Sequence, residues 1–376
     1  MRVDAGLHAH AGSIADYPNL DEWVEQATFA EQAGFTGIWA AEHHFFWDGW
    51  TTPTPTNPLL VGAYLAARTE RLRIGQCGIA INDWHPIRAA EDAAMLDRMS
   101  GGRLDFGIMR GLNNRVNRNF NPEADRRDVP KANRMMWENL DIIRRAWTGE
   151  PFSHAGEFYQ LPAPGWVDQS EANPDPAYYR ADGELHSLAV HPTPLQQGGP
   201  PVWVMSDSAG SHAEAAKRGV NVLSWGRSPR AARESWDAYR SAAPDDSGQL
   251  ALMRCVYVAD SQAEADRVMR PAINGLFAKM GHSKNPAWGR KGMLASDEEL
   301  TDEMLNCDWY DYLTGIKWAI AGTADAVAES LLSLKEDSGM QHLVQYWSVA
   351  ALTRDQVRRS QELFAEKVLP QVSAGE

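Results

Sequence analysis

Eight short apolar runs, each followed by a stretch with helical hydrophobic spacing, constrain this chain more than any other feature. The runs fall at residues 3–7, 36–41, 72–81, 103–109, 201–205, 219–225, 252–259 and 343–349. Leu20, Trp23, Val24, Ala27, Ala30 and Ala33 share one helical face after the first run, and Gly34 closes that helix. Similar spacing predicts helices over 58–69, 86–99, 129–148, 209–218, 229–243, 262–280 and 354–370, with another opening after Gly322-Thr323-Ala324. Pro86 suits a first helical position, where its missing N–H costs nothing. Strand and helix alternating eight times in 376 residues predict a (β/α)8 barrel, read as one domain over 1–376. An open doubly wound sheet competes. Against it, Gly6-Leu7-His8-Ala9-His10 is not the G-x-G-x-x-G fingerprint of that fold.

Two stretches break the rhythm. Residues 162–200 hold many Pro, Gly, Asp and Gln and are too long for an ordinary connection. They read as an insertion after strand four, with one strand of its own near 188–190. Residues 281–317, after strand seven, carry Trp288, Trp309, Tyr310 and Tyr312 and read as a mobile lid or, more plainly, as irregular surface.

The formal charge of -14 argues against nucleic acid and anionic membranes as partners, although solubility alone explains it equally well. Cys77, Cys255 and Cys307 have neither disulfide-framework nor zinc spacing, which suits a reducing cytoplasm. The first strand starts at once, with no signal peptide before it. No apolar run approaches the roughly 20 residues that span a bilayer.

Four constellations carry candidate chemistry. Strand two ends in Glu42-His43-His44, at the end of a parallel strand where such barrels place reactive groups. Neighbouring histidines point in opposite directions, so one of them reaches the mouth easily. A single histidine as acid, base or donor is the favoured reading, a polar strand end meeting water the plain one. A metal would need ligands from other strand ends, such as His8 or Asp207, and the spacing matches no usual pattern, so none is expected. Arg110, just past strand four, can grip a phosphate with two parallel hydrogen bonds or form an ordinary ion pair. Met205-Ser206-Asp207-Ser208-Ala209-Gly210-Ser211-His212 joins strand five to a helix whose free N–H groups suit an anion. The serines there could equally cap the helix, and Ser211 to Glu214 form a capping box. Asp207 is awkward beside a phosphate and is expected to cap that helix or to arrange Arg110. Gly75-Gln76-Cys77-Gly78 places two glycines in a buried strand, which points to a close-lying flat ring or to a bulge.

Together these residues resemble the bacterial luciferase-like flavin monooxygenases. The matching segments are Gly34-Phe35 through Trp39, Glu42-His43-His44-Phe45, Thr69-Glu70-Arg71-Leu72-Arg73-Ile74-Gly75, His85-Pro86-Ile87-Arg88, Phe106-Gly107-Ile108 with Arg110-Gly111, Pro201 to Ser208, and Ser224-Trp225. They follow the family's order and cover most of the chain, 162–200 and 281–317 least. The resemblance implies a (β/α)8 barrel, a homodimer, and reduced FMN (FMNH2) bound at the C-terminal mouth after delivery by a separate reductase. It implies dioxygen as co-substrate, activated as a flavin C4a-(hydro)peroxide that oxygenates a small organic substrate by hydroxylation or by Baeyer-Villiger or aldehyde oxidation. By position, His43 matches the acid/base, with Glu42 and His44 beside it. Arg110, Ser208 and Ser211 match the phosphate grip. Cys77-Gly78 matches a segment against the flavin ring, often through a non-proline cis peptide, and Trp225 falls where strand six meets the ring. Asp207 stands for a glutamate, Ser211 for a threonine, and Met109 for a reactive cysteine, which weakens any case for light emission. An F420-dependent dehydrogenase on the same fold, or a flavin-binding relative without chemistry, are the alternatives.

Overall fold

The computed structural model describes residues 1–7, 20–45, 55–111, 113–169, 175–243, 245, 247–279, 285–346 and 352–373. Eight parallel strands close into a ring: Arg2–Gly6, Gly37–Ala40, Arg73–Gln76, Leu104–Met109, Val202–Met205, Asn221–Ser224, Leu250–Val258 and His342–Gln345. Closure runs through strand one, which pairs with strand two at Ala5–Ile38 and with strand eight at Val3–Leu343. The helices lie between successive strands, among them Leu20–Ala33, Pro58–Ala66, Pro86–Met99, Val129–Ala146, Ala209–Ala216 and Pro229–Ala242. This is a (β/α)8 barrel, in which buried strands read as apolar runs because both faces are covered.

The lumen shows why these residues close this ring. Trp39 and Trp203 meet edge to face inside it, 5.4 Å apart, a geometry worth about 0.5–1.5 kcal/mol beyond burial. Glycine makes the room. A Cβ on Gly75 would lie 2.4 Å from the Trp39 ring. Below the tryptophans the lumen is ionic. Trp39 donates its indole N–H to Asp4 at 2.8 Å, while Asp105 accepts from Arg2 and Arg73, each at 2.8 Å. Burial opposes the charge on Asp105, but the bonds and charges of Arg73 and Arg2 outweigh it and hold its pKa low.

Several elements differ from expectation. The third run is not one strand: it stops at Gln76 and resumes as Ile79–Ala80, with a cis peptide at Cys77–Gly78 between. No strand forms near 188–190. Leu188 instead makes an isolated bridge to Phe152, because a run this short, ended by His191-Pro192, cannot extend a ladder. A further strand, Ala319–Gly322, pairs with the distal half of strand seven outside the ring. The described part of 281–317 is not irregular. It forms helices Pro286–Lys291, Asp302–Asn306 and Trp309–Gly315. Arg290 is their hub, over the rings of Trp309 and Tyr312 at 4.6 and 5.0 Å and donating to the Cys307 carbonyl at 2.8 Å. The last three positions of the expected eighth run, and residues 281–284 of the second stretch, lie outside the described residues.

Candidate active site

The C-terminal strand ends meet at one mouth. After strand two, Glu42 is buried at 3% exposure and its carboxylate is fully engaged. It accepts from the Ala80 N–H at 2.8 Å and the Trp84 indole at 3.1 Å, and it pairs with His44 Nε2 at 2.8 Å. Glu42 thereby ties strand two to the continuation of strand three. The neighbouring histidines have separate environments, as alternation along an extended chain requires. His44 is held by a carboxylate and lies edge-on to Phe120, centroids 4.7 Å apart. His43 anchors its own N–H on the Pro55 carbonyl at 3.2 Å. Burial, then the neighbouring His44, pushes the His43 imidazole down to about 4, so it is neutral at pH 7. Phe45 turns the chain away at a positive φ of 54°, and its ring stacks on Phe120 at 5.3 Å.

Residues on or just after strands two, three, five, six, seven and eight form an apolar floor. Cys77 is buried, its N–H donating to the Ala40 carbonyl at 2.9 Å, and burial pushes its thiol up to about 12. It is therefore a wall and not a nucleophile. Cys77 packs in one cluster with Trp39, Trp203, Leu223 and Met253, with Met205, Trp225 and Tyr346 against it. Gly78 permits this approach, since a Cβ there would lie 3.0–3.2 Å from the Ile108 backbone. Met109 sits half-buried in register with Ala80. Trp225 is half-buried between this floor and the rings of Phe277 and Trp318, at 6.2 and 5.2 Å.

A cationic arm lies beside the floor. Arg110 donates to Asn133 Oδ1 at 3.1 Å and makes no ion pair among the described residues. Burial and the nearby Arg126 guanidinium hold its pKa below the ordinary value. The Nε of Arg126 is itself buried with no partner among the described residues. The two guanidiniums lie near enough to repel, and neither forms an ion pair with a carboxylate among the described residues. Asn133 and Ser211 line one groove of about 470 Å³, and the Ser208 hydroxyl donates to that of Ser211 at 2.8 Å. Ser208 is the N-cap of helix Ala209–Ala216, accepting from the Ser211 N–H at 3.3 Å. The cap is therefore Ser208, and the capping box expected to begin at Ser211 does not form there. Asp207 neither caps the helix nor touches Arg110. It accepts from the Ser224 hydroxyl at 2.6 Å and the Trp225 N–H at 2.9 Å. It thus aims Trp225, because the peptide donors after strand six are nearer than any cation.

Arg126, Asn133 and Trp84 were not legible from the sequence. Arg126 sits in a polar run, Ala124-Asp125-Arg126-Arg127-Asp128, that looks like any charged turn. Among the described residues no group of three or more His, Cys, Asp or Glu could hold a metal ion. His8 lies outside those residues. No described helix is long and apolar enough to cross a membrane.

This fold and mouth set two guanidiniums and an apolar floor at the C-terminal end of a (β/α)8 barrel. The profile of the luciferase-like monooxygenases matches residues 1–342, and the chain belongs to that family of oxidoreductases. It is 28% identical over 382 residues, 98% of this chain and 95% of the other, to the oxygenase component of flavin-dependent trigonelline monooxygenase from Acinetobacter baylyi. The fold is shared with the oxygenating constituent of 3,6-diketocamphane monooxygenase from Pseudomonas putida in complex with FMN, at TM-score 0.75, 22% identity and 99% coverage of both chains. It is also shared with an F420-dependent secondary alcohol dehydrogenase, at TM-score 0.69, 17% identity and 99% coverage of both.

Proposed function

We propose that this chain is the oxygenase component of a two-component system, binding reduced FMN from a separate reductase and using dioxygen to oxygenate an organic substrate. The observation that carries this reading is the pair Arg110 and Arg126, without an ion pair among the described residues, with Arg110 bonded to Asn133, which lines one groove with Ser211 at a helix start. That donor set fits a phosphate dianion, and the floor around Cys77, Gly78, Met205, Met253 and Trp225 fits a flat apolar ring. The relation to an oxygenase component of a flavin-dependent enzyme supports the same cofactor. The fold alone does not choose, because it also serves an F420-dependent dehydrogenase.

Bound there, a reduced flavin would supply the activation of dioxygen. The chain's own residues supply the rest. Arg110, Arg126, Ser208 and Ser211 would hold its phosphate. Cys77 and Gly78 would form part of the wall for its ring, and Asp207 holds the Trp225 backbone beside that wall. His43, uncharged at neutral pH, would serve as the acid/base toward a reacting oxygen. Glu42 fixes the orientation of His44 at the same mouth. The rings of Phe45 and Phe120, themselves exposed, pack against His44 on that side.

The test is anaerobic titration with reduced FMN, followed by mixing with oxygenated buffer. Tight binding of reduced FMN, with oxidised flavin appearing much later than in free solution, is the expected result. Failure to bind reduced FMN while binding F420 would overturn the reading in favour of the dehydrogenase. Binding with immediate reoxidation, even with candidate substrates present, would leave a flavin-binding protein without oxygenase chemistry.

A further inference from the structure

Strand seven outlasts its neighbour. Strand six stops at Ser224, in register with Leu252, while strand seven runs on to Val258. The chain after Ser224 leaves the ladder, and its carbonyls need other donors. Arg254, two positions further along strand seven, supplies them. Its side chain is wholly buried. Nη1 donates to the Trp225 carbonyl at 3.4 Å and the Met253 carbonyl at 2.8 Å, and Nη2 donates to the Arg227 carbonyl at 2.7 Å. Nε has no partner among the described residues. Every one of these bonds ends on a neutral carbonyl.

The same segment is held by its donors too. Asp207, just after strand five, accepts from the Trp225 N–H at 2.9 Å and the Gly226 N–H at 3.2 Å. Residues 225–227 thus have N–H groups on a carboxylate and carbonyls on a guanidinium. Burial pushes Arg254 down to about 10, with the Asp207 carboxylate opposing the shift, so it is charged at neutral pH. Trp225, the first residue so held, packs on the floor that holds Cys77 and Met253 and meets the rings of Phe277 and Trp318.

A buried guanidinium is a costly way to satisfy carbonyls, because desolvating the cation costs several kcal/mol and an apolar residue beside a longer ladder avoids that cost. What the arrangement gains is direction: charges of opposite sign on the two ends of successive peptides fix one conformation of a segment that has left the sheet. We propose that Arg254 is a positioning residue of the mouth, which with Asp207 clamps the 225–227 backbone and so sets the Trp225 ring at the wall of the flavin site. It acts through Trp225 alone. The inference rests on reading Trp225 as part of that wall, but the clamp is measurable without flavin.

The experiment compares wild type, Arg254→Met, which removes the donors, and Arg254→Lys, which keeps the charge but not the fork. Each is made with and without Trp225→Phe. In near-ultraviolet circular dichroism of the flavin-free proteins, the difference within each pair isolates Trp225. In wild type it is a strong band, since the ring lies 5.2 Å from that of Trp318. It should collapse in Arg254→Met and shrink in Arg254→Lys, while both still unfold cooperatively. In titrations with reduced FMN, Trp225→Phe should weaken binding in the wild-type background and hardly at all beside Arg254→Met, a coupling of roughly 3- to 100-fold. A Trp225 band unchanged in a folded variant would overturn the proposal, as would losses of affinity that simply multiply. If Arg254→Met does not fold, Arg254→Lys decides by the same two measures. A wild type that binds no reduced FMN would refute the flavin reading and leave the dichroism to judge the clamp.

Discussion

At the residue scale, pairs of like groups in unlike surroundings organise the mouth. His43 and His44 are adjacent, yet one is desolvated and the other is held by Glu42. Arg110 and Arg126 repel each other, and neither forms an ion pair with a carboxylate among the described residues. Arg126→Ala should leave folding intact and weaken FMN binding by roughly 10- to 100-fold, the loss of one charge-assisted contact of about 1.5–3 kcal/mol. Fluorescence titration checks this, and unchanged affinity would remove Arg126 from the grip. Arg110 was legible as a lone basic residue just past a strand end. Arg126 was not, because its meaning is its distance from Arg110, and that is a tertiary quantity. Asp207 shows the converse. Its place after strand five suggested a helix cap or a hold on Arg110, and the N–H donors of Trp225 and Gly226 claimed it instead.

At the element scale, strand three is the component fitted most closely. Gly75 accommodates Trp39, and Gly78 accommodates the backbone of strand four. Gly75→Ala puts a methyl 2.4 Å from a fully buried indole, and overpacking of this kind costs about 1–3 kcal/mol. The expected outcome is a lower denaturant midpoint, partly restored by Trp39→Phe, which makes room. A midpoint unchanged by Gly75→Ala would mean that the lumen is looser than its packing indicates. The helices were well placed in advance because Pro86, Pro229 and the spaced apolar residues act locally. The strand Ala319–Gly322 was missed, since Ala319-Ile320-Ala321-Gly322 is too short to show a period of its own and becomes a strand only beside strand seven.

At the scale of the whole molecule, the barrel leaves one outer face with exposed apolar side chains. Leu60, Met95 and Met99 are 70%, 47% and 58% exposed on the helices Pro58–Ala66 and Pro86–Met99, which pack together. We propose this face as the homodimer contact. Leu60→Glu with Met99→Glu should convert a dimer to a monomer in sedimentation equilibrium. A wild type that sediments as a monomer would refute that assignment.

Taken alone, the sequence determined the eightfold alternation, the helix starts, and the chemical types at the strand ends, including Glu42, His43 and Arg110. These are encoded by neighbours a few residues apart, through periodicity and capping. The tertiary structure decided which of those groups meet. It brought Arg126 near Arg110, turned Asp207 to strand six, made Arg290 the hub of 285–317, and tied Glu42 to Ala80 and Trp84. Each outcome depends on distances across the barrel between residues far apart in the chain. Coulomb energy, desolvation and hydrogen bonding depend on those distances and not on order along the chain.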